Sequence, residues 1–300
     1  MSDVTPMPGA QETQYGRPLL IEELSNRYFI HPLSGVIEKL AIRWGVSANI
    51  VSFLGLGAGW IAGLLYYYQD HNIYVLGGFI FMCMWHVFDG ADGRIARATG
   101  TSSAFGRIID GICDHLVFGA VYLAFIFFAL KQGASPWIWA LGIGAGISHA
   151  IQAAGYEERR QKYQRRLKGT ERKVVNASLV DVKGSTSWLA RLYDKGQMLV
   201  SGGNSQLDKV IENYRSNDAA PDKIYEIVGK TSKIVKAWAL LNANNRTIMI
   251  AVMAAFARPE LYFLYEIILL NIVLLGLMIY EYYTEKKIAV DMARALPSMS

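Results

Sequence analysis

Four aspartates, Asp89, Asp92, Asp110 and Asp114, fall within the stretch FDGADGRIARATGTSSAFGRIIDGICDH, paired at i,i+3 and i,i+4. On α-helices those spacings put each pair on one face. Gly106 stands four before Asp110, so Gly106, Asp110 and Asp114 share a stripe. Asp89, Asp92/Gly93 and Ala96/Arg97 form a matching stripe on the preceding helix. Two antiparallel helices joined near Thr99–Ser103 would bring the four carboxylates together. In a low-dielectric setting they cannot all stay ionised without countercharge. Arg97, the one basic side chain in the pattern, is too little. All-oxygen ligation favours Mg2+ or Mn2+ over zinc, and two ions bridged by carboxylates suit phosphoryl chemistry. Gly93, Ala96 and Gly106 let a ligand approach the backbone, and Arg97 offers a fork for phosphate. One carboxylate can accept the proton of an attacking hydroxyl.

The surrounding chain must hold these helices against a membrane. Of 300 residues 52% are apolar and 18% charged, with a net charge of +5. That excludes a disordered chain, and two cysteines exclude a disulfide scaffold. The first eighteen residues are polar, with no apolar stretch of the kind found in a cleavable signal peptide. From Val46 no charge occurs until Asp70, long enough to cross ~30 Å of hydrocarbon. Further spans are expected at Asn72–Phe88, Ile108–Leu130, Pro136–Tyr156 and Leu261–Tyr283. Thr247–Phe256 makes another if its helix continues back through Ile234–Arg246. The expectation is an all-α polytopic membrane protein with about six transmembrane helices. A helix over Leu19–Trp44, with Ile30, Leu33, Val36, Ile37, Leu40 and Ala41 beside Arg27, Lys39 and Arg43, would lie in the interface.

Residues 1–45 then form an N-terminal arm and interfacial helix, and 46–156 four spans carrying the motif. A basic insertion over 157–233 precedes two further spans over 234–283 and a tail over 284–300. With the N-terminus inside, the outer connections Gln69–Asn72, Lys131–Ser135 and Ala257–Glu260 hold only Lys131 and Arg258. The Lys/Arg asymmetry therefore puts both termini and the aspartates on the cytoplasmic side. The basic insertion reads as positive-inside bias and anionic-lipid attraction. No motif supports nucleic-acid binding.

The eight positions Asp89, Asp92, Gly93, Ala96, Arg97, Gly106, Asp110 and Asp114 match D-x2-D-G-x2-A-R-x8-G-x3-D-x3-D. In this the chain resembles the CDP-alcohol phosphotransferase family. The resemblance implies metal binding by the four aspartates, with Asp114 doubling as general base. It implies a CDP-linked donor held near Gly93, Ala96 and Arg97, release of CMP, and a homodimer. Asn49 and Ser52 fall where the family often reads T-P-N-x-x-T, with Ala48 in place of the proline. Ser103 matches a frequent Ser/Thr three before the second glycine, so these three are further donor contacts.

Arg107, Arg159, Arg160 and Arg246, at expected cytoplasmic helix ends, are candidates for an acceptor's phosphate or polyol, or for lipid headgroups. His86 and His149 lie within spans as interhelical partners or substrate contacts, and His115 points away from Asp114. Cys83 and Cys113 are expected to be reduced. The function expected is phospholipid synthesis at the bacterial inner membrane, with CDP-diacylglycerol as donor and a small polar alcohol as acceptor. The alternative reverses the partners, a soluble CDP-alcohol giving its head group to a lipid hydroxyl. A remoter one is a cation transporter using the aspartates as its ion site.

Overall fold

The computed structural model describes residues 18–169, 205–216 and 221–294, excepting the side chains of 104–110 and of 221. Every described element is helical, as the apolar periodicity requires. In chain order these are α1 (His31–Trp44), α2 (Ala48–Tyr67), α3 (Asn72–Ala98), α4 (Ala104–Lys131), α5 (Ile138–Lys168) and α6 (Gln206–Ser216). There follow α7 (Pro221–Lys230), α8 (Ser232–Trp238), α9 (Ala243–Ala255), α10 (Pro259–Leu264) and α11 (Leu270–Arg294). Two compact units share these helices, with the division falling inside α5 and α11.

Four described stretches are long and apolar enough to cross a membrane: Ala48–Tyr67, Asn72–Ala98, Gly111–Lys131 and Pro259–Arg294. The other two expected spans fall on α5 and α9. Helix α5 runs unbroken from an apolar first half into a charged second half, past the expected end at Tyr156. Helix α9 does not continue back to Ile234. Asn242 caps it, accepting the Asn245 N–H at 2.8 Å, and a 3-10 turn over Ala239–Leu241 separates it from α8. At ~1.5 Å per residue its 13 residues reach only ~20 Å. The N-terminal helix is likewise broken, into a 3-10 turn (Leu19–Ile21), a π turn (Asn26–Ile30) and α1. It is amphipathic as expected: Tyr28, Phe29, Leu33 and Val36 are exposed while Ile30, Ser34 and Ala41 are buried.

The first unit comprises Leu24–Ala150 and Asn242–Asn271. Its core runs through Ala58, Ala62, Tyr66, Trp85, Val117, Phe118, Val121, Phe125, Tyr262 and Phe263. Without a hydrophobic drive between helices in lipid, close packing decides association, and small residues permit it. Helix α2 shows this directly. A Cβ on Gly59 would stand 2.4 Å from a Val117 methyl, and one on Gly63 would stand 3.0 Å from the Ala120 carbonyl oxygen. Helix α2 thus seats on α4 through these glycines while its other side packs on α3.

The second unit comprises the described parts of Met1–Glu23, Ile151–Leu241 and Ile272–Ser300. Its core joins Tyr163 of α5, Leu207, Ile211 and Tyr214 of α6, Ile227 and Val228 of α7, Val235 of α8, and Ile288 and Ala289 of α11. The described portion of the basic insertion therefore folds together with the C-terminal half of α5 and the end of α11. Residues 170–204 of the insertion, the first seventeen residues and the last six lie outside the described residues.

Candidate active site

Helix α3 runs unbroken through the first half of the motif, so Asp89, Asp92, Gly93, Ala96 and Arg97 keep their helical register. The chain then reverses within Thr99–Ser103. Thr99 Oγ1 donates to the Ile95 carbonyl at 2.8 Å, and Gly100 takes a φ of 66°, a left-handed conformation that favours glycine. Helix α4 returns with the second half of the motif.

Two contacts tie the motif helices to their neighbours. The Trp85 and Phe118 rings meet edge-to-face, centroids 5.3 Å apart, between α3 and α4. Asp89 lies one turn beyond Trp85, and Asp114 lies one turn before Phe118. The Asp89 and Asp114 side chains are both half-buried. From α2, Ser52 Oγ donates to Asp92 Oδ2 at 2.5 Å, and the Gly93 N–H donates to Asp92 Oδ1. Asp92 is only 5% exposed. Arg97 is exposed on the last turn of α3, with its Nη1 lying against Gly93. Ala96 is half-buried; Asn49 and Ser103 are exposed. Gly106, Arg107 and Asp110 continue the helix of α4, but their side chains lie outside the described residues.

Among the described residues no three His, Cys, Asp or Glu side chains already stand as a metal-binding group. Asp110 is outside that set. The donor chemistry suits a hard divalent cation: carboxylate oxygens, one of them buried and oriented by a serine.

A second polar cluster was not legible from the motif. Glu266, fully buried, accepts from Arg246 Nε at 3.0 Å, Tyr262 hydroxyl at 2.7 Å and Tyr122 hydroxyl at 3.4 Å. The Tyr122 hydroxyl also meets His149 Nδ1 at 3.0 Å, and the His149 ring packs on Phe118 at 4.3 Å. His86 Nε2 meets Thr247 Oγ1 at 2.8 Å. Both span histidines therefore have interhelical partners. Arg246, an acceptor candidate, is 1% exposed inside this cluster. In the second unit, Arg159 donates to Glu281 Oε2 at 2.8 Å and stacks 3.9 Å above the Trp238 ring. Arg160 pairs with Glu157. The sequence signal for the buried cluster was Glu266 itself, an acid inside an apolar run.

The sequence model of the CDP-alcohol phosphatidyltransferase family matches residues 46–173. Over these residues the chain is similar to that family. All eight motif positions lie in it, as do Asn49, Ser52, Ser103, Arg107 and Arg159; Arg246 and Glu266 lie beyond it. Members of this family generally use divalent metals. The chain is 29% identical over 108 residues to a phosphatidylinositol phosphate synthase of Mycobacteroides abscessus, covering 35% of this chain and 47% of the relative. It is 29% identical over 139 residues to one of Streptomyces avermitilis, covering 45% and 56%. It is 30% identical over 108 residues to one of Mycolicibacterium smegmatis, covering 35% and 46%. The chain thus spans about half the length of these curated relatives. No solved structure matches it.

Proposed function

We propose that the protein is an integral-membrane, metal-dependent enzyme of phospholipid synthesis. It transfers a substituted phosphate from a CDP-linked donor, CDP-diacylglycerol, to the hydroxyl of a small polar alcohol and releases CMP. The observation that carries this reading is the complete motif carried on α3 and α4, with Asp92 buried and oriented by Ser52. The names of the relatives point to a phosphorylated inositol as the first acceptor to try; glycerol phosphate and serine follow.

Asp89, Asp92, Asp110 and Asp114 would hold Mg2+ or Mn2+, two ions in all. Bound there, the metal would neutralise the pyrophosphate and the charge growing on the leaving phosphate. The chain's own residues do the rest. Ser52 fixes the Asp92 carboxylate, while Gly93 and Ala96, lacking bulk, leave the backbone open to the nucleotide. Arg97, Gly106, Ser103 and Asn49 bind the donor. Asp114 takes the acceptor's hydroxyl proton as its oxygen attacks the β-phosphorus. The bond to the bridging oxygen breaks, and CMP leaves with that oxygen. Of the acceptor candidates, Arg107 is carried forward as the phosphate ligand, since Arg159 and Arg246 are each held by a carboxylate. Both termini and the site face the cytoplasm of a bacterial inner membrane, and the enzyme works as a homodimer.

The test is CMP release by purified protein with Mg2+ or Mn2+, CDP-diacylglycerol and the alcohol panel. Release that requires an alcohol and is lost in Asp114→Asn supports the reading. Release only with a soluble CDP-alcohol and diacylglycerol reverses donor and acceptor. No CMP from any pair defeats the proposal.

A further inference from the structure

The motif fixes positions 89, 92, 93, 96 and 97 of α3 and leaves 90, 91, 94 and 95 open. At ~100° per residue these two sets lie on opposite sides of the helix. The structure shows what the unspecified side does: it is covered by α1.

The contact is made by Val87, Gly90, Ala91, Arg94 and Ile95. Ser34 Oγ donates to the Val87 carbonyl at 2.8 Å, and a Cβ on Gly90 would stand 2.6 Å from that same hydroxyl oxygen. Any larger residue at 90 would displace that hydroxyl from the Val87 carbonyl. Ala91 and Ile95 are buried with Ala41 of α1 and Val51 of α2. Arg94 closes the contact. Its Nη2 lies 2.5 Å and its Nε 2.6 Å from Glu38 Oε2, while Nη1 donates to the His31 carbonyl at 3.2 Å. Gly35 leaves room for the guanidinium, 3.1 Å from where its Cβ would stand. An Arg–carboxylate pair with two nitrogens on one oxygen, held at 12% and 20% side-chain exposure, fixes direction as well as charge.

We propose that α1 is a positioning clamp for the carboxylate-bearing turns of α3, with Glu38 and Arg94 as its positioning residues. The Ser34–Val87 hydrogen bond sets the axial register, and the Arg94–Glu38 pair sets the rotation that presents Asp89, Asp92 and Ala96 to the donor. This rests on the function proposed above. Neither residue touches substrate; a misplacement of a fraction of an ångström at the reacting groups lowers turnover without weakening donor binding.

The experiment compares the wild type with Glu38→Gln, Arg94→Gln, Arg94→Lys and the Glu38→Arg/Arg94→Glu exchange. Lys39→Gln, on the exposed side of α1, is the charge control. Three quantities are read: kcat and donor KM for CMP release, melting temperature, and backbone amide exchange over residues 87–97. The clamp predicts that Glu38→Gln and Arg94→Gln lower kcat about tenfold with donor KM within about twofold. Exchange over 87–97 rises in both, read well below their melting temperatures. Arg94→Lys and the exchange variant recover most of the kcat and the protection, and Lys39→Gln changes neither. If kcat and exchange are unmoved in both Gln variants, the clamp is wrong. It is equally wrong if kcat falls only in step with melting temperature and neither rescue restores it. A wild type that releases no CMP with any substrate pair defeats the underlying function, and the clamp with it. A wild type that does so beside silent Gln variants defeats the clamp alone.

Discussion

Two buried carboxylates of the same unit, Glu266 and Asp92, are held in opposite ways. Glu266 is met by a guanidinium and two phenols, so its charge is matched where it stands. Asp92 accepts from a serine hydroxyl and a backbone N–H, and belongs to a motif with three more acids and one arginine. The first arrangement uses a charge to join helices. The second, on the function proposed above, would keep carboxylates oriented for metal and substrate. A buried ion pair is weak evidence for stability, but a half-removed one is costly. An acid-rich site gains little stability from any one member and loses chemistry when that member goes.

That contrast is broken most sharply by a pair of isosteric substitutions. Asp114→Asn is expected to lower CMP release by ~10²–10⁴, the range for losing a positioned base, with little change in melting temperature. Glu266→Gln is expected to do the reverse: a lower melting temperature, with activity retained wherever the protein stays folded. Rates and melting curves on both variants decide it. Equal loss of both properties in both variants would erase the distinction.

Next in size is Arg246→Ala, which strands Glu266 in an apolar interior and is expected to cost ~3–5 kcal/mol. Replacing both partners, Arg246→Met with Glu266→Leu, should recover most of that loss, because no uncompensated charge remains. Unfolding in mild detergent measures it. If the double variant is no better than Arg246→Ala, the cluster does more than join helices. Tyr262→Phe sharpens the same point at smaller scale. It removes the hydrogen bond of 2.7 Å to Glu266 and should cost ~1.5–3 kcal/mol, since the acceptor is charged.

Much of this was legible in the residues. The spacing of Asp89, Asp92, Asp110 and Asp114 placed them on two successive helices, and α3 and α4 carry them. Gly59 and Gly63 lack a side chain where α2 meets α4, and Val117 and Ala120 occupy the space they leave. What was not legible depends on tertiary partners. Nothing in the periodicity of residues 234–256 shows that Asn242 will cap a new helix, because asparagine is equally able to sit at an interface. Glu266 stands out in an apolar run, but its pairing with Arg246, twenty residues earlier, depends on where α9 and the π turn over Tyr265–Leu269 meet. Arg94 fills an unspecified motif position and reads as a surface charge until α1 folds onto it. The fold of the basic insertion was hidden for the same reason: its core is completed by α5 and α11.

The smallest effect concerns a third carboxylate, Asp208, which lies in the second unit outside the apolar spans and caps a short helix. Its Oδ2 accepts the Ser205 N–H at 2.8 Å, the Ser205 hydroxyl faces the Asp208 N–H at 3.4 Å, and its Oδ1 accepts from Arg166 Nε at 2.7 Å. This is a reciprocal cap at the start of α6, tied to α5 by an ion pair. Burial alone would raise the Asp208 pKa, but the hydrogen bond and charge of Arg166, with help from Lys162 and Ser205, bring it below the usual carboxylate value. A depressed folded-state pKa means stability that is present above the unfolded value of ~3.9 and lost as pH falls through the folded one. Amide exchange over Gln206–Ser216 should therefore speed up as pH drops below ~4, beyond the intrinsic pH dependence of exchange. In Asp208→Asn the same helix should already be looser at neutral pH, by ~1 kcal/mol of local opening, and should lack that acid-dependent step. An unchanged acid step in Asp208→Asn would assign it to another carboxylate. An unchanged neutral-pH opening would mean that packing of Leu207, Ile211 and Tyr214, not the cap, holds α6 in place.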